Sequence, residues 1–215
     1  MKYRITNEGF IDYKGDAFRT ITTELILDSS SLEKQESSID QYRETHEEEK
    51  YPPNILFIIK LFRHFIGYHT WLYFRSKNTI TILDVGCGIS RKIPLYFREI
   101  AEVLNVVYFG LDPIPVNFER DYFFINGKYE GVSRFLEDPF DCAIFSTSLD
   151  HFSNLQVVSQ ELRKTVRKNG LVFFWVGLND PNIVGEASIS ESYRDFSFLS
   201  LKKVLRKAFR APLGL

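Results

Sequence analysis

The decapeptide TILDVGCGIS, residues 81–90, combines residue types whose spacing suits the binding of a charged ligand. β-Branched and aliphatic residues lead to Asp84, and Gly86 and Gly88 follow one residue apart. Glycines directly after a strand let the backbone approach a ligand closely and adopt a positive φ. In α/β sheets, ligands bind at the carboxyl ends of strands, near the point where strand order reverses. The pattern therefore predicts a nucleotide-like ligand at this loop.

The spacing of the loop argues against a dinucleotide. A dinucleotide fingerprint has a third glycine, G-x-G-x-x-G, whereas Arg91 occupies that position here. The carboxylate of Asp84 would also lie close to a pyrophosphate, and like charges repel. Asp84 better suits a ligand with a cationic tail and no phosphate. S-adenosylmethionine, with its ammonium and sulfonium groups, is such a ligand.

A second acidic residue supports this interpretation. The segment VVYFGLD, residues 106–112, is predicted to be the second strand and ends at Asp112. A carboxylate at that position offers two acceptor oxygens to the vicinal diol of a ribose. The ligand is therefore expected to have an unphosphorylated ribose as well as a cationic tail.

An alternation of strands and helices would place these residues at one edge of a sheet, and the sequence predicts such an alternation from residue 79 onward. Strands are predicted at 79–85, 106–112, 122–126, 140–146 and 171–177, with helices at 89–105, 130–138 and 155–170. Gly170 is expected to be the residue that terminates the last of these helices. The alternation predicts βαβ units and an α/β fold with a Rossmann-like, doubly wound, mainly parallel sheet.

The region before the sheet is expected to be a helical N-terminal extension. A short strand is expected within residues 22–27, and residues 29–50 are predicted to be a polar connector. Residues 54–74 are predicted to form an amphipathic helix on the domain. They are long enough to span a bilayer, but Lys60, Arg63, His64 and His69 interrupt the apolar run. The expected division is residues 1–53 as extension and connector, and residues 54–215 as the ligand-binding domain.

Composition limits the remaining classes of function. The 215 residues are 44% hydrophobic and 15% aromatic, which is typical of a globular chain. A formal net charge of -1, without interleaved basic and aromatic residues, gives no reason to expect a nucleic-acid partner. Cys87 and Cys142 form no CxxC pair, so neither a zinc site nor a disulfide is indicated. No apolar leader is visible, and a cytoplasmic protein without stable membrane insertion is expected.

Together, these motifs resemble those of the class I S-adenosylmethionine-dependent methyltransferases. ILDVGCGIS is similar to the first motif of that family, and LDP at 111–113 is similar to the second. FDCAIFSTSLDHF at 140–152 resembles the fourth-strand motif, and ELRKTVRKNGLVFFWV at 161–176 resembles the following helix and strand. The resemblance spans residues 54–209 and implies five core strands in the order 3-2-1-4-5.

The resemblance implies a role for each candidate residue. The residues implied in cofactor binding are Asp84, Gly86, Cys87 and Gly88 at the methionine part, Asp112 at the ribose and Pro113 near the adenine. Ser146, Leu149 and His151 would border the methyl-transfer site. His151 is either a catalytic base, needed if the acceptor must lose a proton, or a residue that closes the site or caps a helix. The acceptor is expected to be a small molecule or a glycan intermediate.

Three features depart from the family pattern. Ser90 replaces a frequent glycine, and Lys128 stands where relatives have an acid that meets the adenine amino group. After a helix expected at 193–209, we expect the last two strands of the family fold to be absent. The N-terminal region or a second protomer would then cover the edge of the fifth strand, so a homodimer is one expectation. The alternative function is an inactive or shortened methyltransferase-like protein that acts as a binding module.

Overall fold

The computed structural model of the protein describes residues 1–28, 53–115, 118–146, 148–152 and 154–175. Within these ranges the strands are β1 (Arg4–Thr6), β2 (Gly9–Ile11), β3 (Ala17–Phe18), β4 (Thr20–Thr22), β5 (Ile80–Val85), β6 (Val106–Asp112), β7 (Phe123–Asn126), β8 (Phe140–Ser146) and β9 (Val166–Trp175). The helices are α1 (Pro53–Phe74), α2 (Leu95–Val103) and α3 (Leu155–Thr165), with 3-10 turns at Val132–Phe135 and Leu149–His151.

The central sheet is parallel throughout its six described strands, which lie in the order β4-β7-β6-β5-β8-β9. The five predicted core strands are therefore present in the order 3-2-1-4-5. Strand β5 pairs with β6 on one side and β8 on the other, so the strand order reverses at β5. The carboxyl ends of these three strands meet at one edge of the sheet, where open α/β folds bind their ligands.

Both faces of the central sheet are buried, which explains the nearly continuous apolar sequence of its strands. On one face, Leu83 and Phe109 pack with α3 and the N-terminal strands. On the other face, Ile82 and Tyr108 belong to a second cluster that includes residues of α1 and α2. Successive residues of each strand alternate between the two clusters, as the pleat of a strand requires.

The N-terminal residues form strands where a helical extension was expected. Strands β1, β2 and β3 make a small antiparallel sheet, and β4 joins the central sheet beside β7. Gly9 and Gly15 have φ values of 110 and 92, which lets the chain turn back sharply between these short strands. The predicted strand at 22–27 thus lies earlier in the chain. It extends the β7 edge of the sheet and leaves the edge of the fifth core strand, β9, uncovered by residues 1–28.

Two helices differ from their predicted bounds, and the helix predicted at 130–138 is only a 3-10 turn at Val132–Phe135. Helix α2 begins only at Leu95, because Pro94 occupies the N-cap and the preceding loop is held by Asp121, which accepts a hydrogen bond from the Ile93 N–H at 3.0 Å. Helix α3 ends at Thr165, so the prediction that Gly170 terminates it was wrong. The C-cap of α3 is Val166, which has an extended backbone with φ -113 and ψ 132.

The helix predicted at 54–74 is present as α1, but it is apolar on two faces and therefore not amphipathic. Ile66, Thr70 and Phe74 are buried on the inner face, whereas the outer face carries exposed aromatic and aliphatic side chains. None of the described helices is both long and apolar enough to cross a membrane. The connector at 29–50, the helix at 193–209 and the question of the last two strands lie outside the described residues.

Candidate active site

The loop after β5 is shaped by its two glycines. Gly86 has a φ of 77 and Gly88 a φ of 73, in the left-handed region that favours glycine. A Cβ on Gly86 would lie 2.5 Å from the Cβ of Ser148, whose hydroxyl donates to the Val85 carbonyl at 2.6 Å. The loop therefore turns tightly against the segment that follows β8, and only a residue without a side chain fits at position 86.

Asp112 ends β6 directly beside this loop. Its Oδ2 accepts a hydrogen bond from the Gly88 N–H at 2.9 Å, and its Oδ1 accepts one from the Ile114 N–H at 3.0 Å. Burial raises the pKa of Asp112, while these two hydrogen bonds and the charges of Arg120 and His151 oppose that rise. Each carboxylate oxygen keeps a further lone pair, so the group can still accept hydrogen bonds from a diol.

Asp84 lies near the carboxyl end of β5 and is fully buried. Its Oδ2 accepts hydrogen bonds from the hydroxyls of Tyr96 and Tyr108, whereas its Oδ1 has no hydrogen-bond partner. Burial raises the pKa of Asp84 to about 6, the two tyrosine hydroxyls oppose this rise and the nearby Asp112 adds to it. A buried carboxylate oxygen without a partner is unfavourable, and a cationic group placed against it removes that cost.

Four further predicted residues lie around the same edge of the sheet. Pro113 follows Asp112, and Ser146 ends β8 at a half-buried position. Leu149 and His151 bound the 3-10 turn after β8, where Leu149 packs against the core and the side chain of His151 is exposed. The structure thus brings all the candidate residues to the carboxyl ends of β5, β6 and β8.

Cys87 reaches this edge through its backbone alone. Its sulfur faces the core, 3.7 Å from the Tyr122 hydroxyl, and a Cβ on Gly110 would lie only 2.6 Å from it. Burial raises the pKa of the Cys87 thiol well above its ordinary value, so the thiol is neutral and unreactive. The predicted cofactor role of Cys87 is therefore open only to its main-chain atoms.

The tyrosines that hold Asp84 were missed by sequence reasoning. Tyr108 stands in β6 between apolar residues, and Tyr96 stands in the first turn of α2. A tyrosine in a buried strand normally has a partner for its hydroxyl, and this was the one signal available. The partner could not be named, because the contact joins separate elements.

Arg120 is a second group that the sequence did not reveal. Its Nη1 donates to the Ser90 carbonyl at 2.7 Å, and the Tyr122 hydroxyl donates to the same oxygen at 2.9 Å. The guanidinium carbon of Arg120 lies 3.8 Å from the centroid of the Phe124 ring. The loop is therefore anchored through the main chain of Ser90, where the family often has glycine.

The end of β7 carries an amide close to Asp112. Asn126 donates from Nδ2 to the Asp112 carbonyl at 3.1 Å, and no described residue donates to its Oδ1. Lys128 lies two residues later, and its N–H donates to the Leu25 carbonyl. Within the part of the chain that the structure describes, no group of three acidic, histidine or cysteine side chains is placed to hold a metal ion.

Comparison with known proteins identifies the class to which this site belongs. Residues 83–174, which include every candidate site residue, match the family described as a methyltransferase domain. A solved structure from Methanococcus maripaludis, provisionally described as an S-adenosyl-L-methionine-dependent methyltransferase, is 12% identical over 80% of this chain and 75% of its own, with a TM-score of 0.46. That likeness is too low to support an argument. No curated protein matches the chain at a significant level.

The family match confirms the class expected from the motifs. Residues 83–174 carry a methyltransferase domain, in agreement with the class I, S-adenosylmethionine-dependent type that the motifs predicted. It is a methyltransferase enzyme, and S-adenosylmethionine is its cofactor. The site fits this cofactor, since the unpartnered Oδ1 of Asp84 suits a cation, and Asp112 at the end of the neighbouring strand keeps lone pairs for hydroxyl donors.

Proposed function

We propose that this methyltransferase acts on a small-molecule or glycan-type acceptor at the carboxyl edge of the central sheet. The supporting observation is that the described residues form no second module beside the methyltransferase domain. Residues 1–28 pack into the core through Phe10 and Ile21 and form no separate module for a large acceptor. The net charge of -1 also offers no general attraction for a polyanion.

The cofactor would be held by residues from three strand ends, those of β5, β6 and β7. The carboxylate of Asp84 would face its cationic part, beside the main chain of Gly86 and Gly88. Asp112 would accept hydrogen bonds from the ribose hydroxyls, using lone pairs left free by its backbone donors. Asn126 would offer its Oδ1 to the adenine amino group, a task that the ammonium of Lys128 cannot perform.

When bound, S-adenosylmethionine would supply a methyl group. An electron pair of the acceptor would form a bond to the methyl carbon in line with the methyl–sulfur bond, which would break with its electron pair left on sulfur. The protein would contribute mainly by positioning, because in-line displacement has strict geometric demands. Tyr96 and Tyr108 would keep the Asp84 carboxylate fixed for this purpose. The exposed side chain of His151 would take the proton from an acceptor hydroxyl or ammonium group.

The acceptor class is tested by incubating the protein with methyl-labelled S-adenosylmethionine and a cell extract. We expect label in the low-mass and glycan fraction, and much less label when the Asp112→Asn variant replaces the wild type at the same subsaturating cofactor concentration. Label in nucleic acid or protein instead would contradict the proposed acceptor class.

The role of His151 is tested on the labelled acceptor. His151→Ala should lower kcat by about a hundredfold with little change in cofactor affinity, since a base acts on the chemical step. His64→Ala, which removes an exposed histidine from α1, is the control. An unchanged kcat would leave His151 only a closing or capping role.

A further inference from the structure

The outer face of α1 carries an apolar stripe, which the exposed His64 interrupts. Six large side chains on this face are 42–59% exposed, namely Phe57, Leu61, Phe65, Tyr68, Trp71 and Leu72. Their spacing of three and four residues places them on one side of the helix, opposite the buried Ile66 and Phe74. The outer face of a solvated helix is normally polar, and an exposed patch of this kind marks an interaction surface.

The charges within α1 and just after it are positive, whereas Glu47, Glu48 and Glu49 precede the helix in the chain. Residues 51–83 contain four Lys and Arg side chains and no Asp or Glu. Arg63 and Lys77 form ion pairs with acidic residues elsewhere in the domain. Lys60 and Arg75 are exposed, one near the start of the stripe and one just past its end. The surface therefore combines apolar and aromatic side chains with Lys60 and Arg75, which form no ion pair with any residue that the structure describes.

We propose that α1 docks the protein on an anionic lipid surface. The stripe would enter the boundary between headgroups and acyl chains, with Lys60 and Arg75 at the anionic headgroups. Tyr68 and Trp71 carry amphipathic rings of the kind that concentrates at this boundary. The helix would lie on the membrane, in keeping with the finding that no described helix can cross one.

Charge disfavours two other occupants of the stripe. A second copy of the chain would bring the same cationic helix against itself. The C-terminal segment has no acidic residue after Asp195 and contains the cations Lys202, Lys203, Arg206, Lys207 and Arg210. Both would place like charges close together, whereas an anionic surface attracts each of these segments.

The inner face of α1 connects the stripe to the cofactor site. The ring of Phe62 lies 5.8 Å from that of Tyr96 and 4.6 Å from that of Trp175, centroid to centroid. Tyr96 in turn donates to Asp84. Through Phe62, a docked α1 would therefore contact Tyr96, one of the two tyrosines that donate hydrogen bonds to Asp84. The docking proposal does not depend on the nature of the methyl acceptor.

The test is flotation of the full chain with vesicles of phosphatidylcholine alone or mixed with phosphatidylglycerol. We expect binding to the anionic vesicles, weakening as salt is raised, because exposed charges are screened. The double variant Leu61→Gln with Tyr68→Gln should partition about tenfold more weakly, since it removes buried apolar area.

A matched control makes the same chemical changes away from α1. Tyr13→Gln with Leu155→Gln alters two exposed residues, 72% and 60% accessible, and should bind vesicles as the wild type does. Absence of wild-type binding to anionic vesicles would overturn the proposal. So would a stripe variant that binds as well as the wild type.

Thiol labelling of Tyr68→Cys distinguishes the other occupants, because the native Cys87 and Cys142 are buried. The new thiol should react rapidly in solution and be protected by anionic vesicles. Slow reaction without vesicles would mean that the C-terminal segment or a second copy already covers the stripe, which would refute lipid docking.

Discussion

At Asp112, one carboxylate holds the loop and, by our assignment, the ribose of the cofactor. Asp112→Asn keeps the shape of the side chain and removes its charge. We expect the affinity for S-adenosylmethionine to fall by about 1–3 kcal/mol, because charge-assisted hydrogen bonds are lost. Calorimetry measures this loss, with Asp138→Asn as control, since Asp138 is an exposed carboxylate that also accepts a backbone hydrogen bond. Equal affinities for the two variants would contradict the ribose assignment.

From the raised pKa of Asp84 we predict opposite pH dependences for the stability of the protein and for its cofactor binding. Its pKa of about 6 in the folded protein lies above the ordinary value of 3.8, so the folded state retains a proton that the unfolded state has released. Stability should therefore fall as pH rises through this window, by about 3 kcal/mol in total. Cofactor affinity should instead fall as pH drops below about 6, because the protonated acid no longer attracts a cation.

Denaturant unfolding and calorimetry on both sides of this pH measure the two effects, with Asp84→Asn as the variant. The substitution removes the buried charge, so stability at neutral pH should not decrease, while cofactor affinity should drop. Cofactor affinity in the variant should also lose the pH dependence due to Asp84. A variant that loses stability and keeps the wild-type dependence of affinity on pH would contradict this role.

At the scale of single elements, the loop after β5 depends on the absence of a side chain at position 86. Gly86→Ala adds a Cβ that meets Ser148 at 2.5 Å, in a backbone conformation that already disfavours alanine. Gly15→Ala is a matched control, because Gly15 also has a positive φ, of 92, but nothing lies within 4 Å of its Cβ position. Both variants should lose about 1–2 kcal/mol from backbone strain.

The additional clash should make Gly86→Ala the less stable of the two, and it alone should lose cofactor affinity. Thermal unfolding and calorimetry compare the variants directly. If Gly15→Ala lost as much stability and as much cofactor affinity as Gly86→Ala, the loop after β5 would have no special role in binding.

The elements were predictable wherever their signals are local. The apolar runs of β6 and β8 and the glycine pair after β5 are contained in a few consecutive residues. The hydrogen bonds to Asp84 come from residues 12 and 24 positions away on different elements, so they follow only from the packed fold. The end of α3 was mispredicted because the backbone becomes extended at Val166, with φ -113 and ψ 132, four residues before Gly170.

At the scale of the whole molecule, we propose that residues 1–22 fold as part of the methyltransferase domain. Their strands are short and weakly patterned, so the sequence could not show that Phe10 is fully buried with its ring 5.1 Å from that of Phe109. Phe10→Ala should lower the free energy of unfolding by about 3–5 kcal/mol, because it leaves a cavity in the shared core. Phe18→Ala is the control, since Phe18 is 37% exposed.

Denaturant unfolding measures both variants. A single transition is expected, with a much smaller loss for Phe18→Ala than for Phe10→Ala. Separate transitions, or equal small losses, would mean that the N-terminal strands are an independent addition.

Titration of the purified chain with S-adenosylmethionine decides whether the loop after β5 and Asp112 form a cofactor site. We predict saturable binding at one site per chain, in clear preference to NADH, which places a pyrophosphate beside Asp84. Absence of heat at millimolar S-adenosylmethionine, or tighter binding of NADH, would contradict the cofactor assignment at this edge of the sheet.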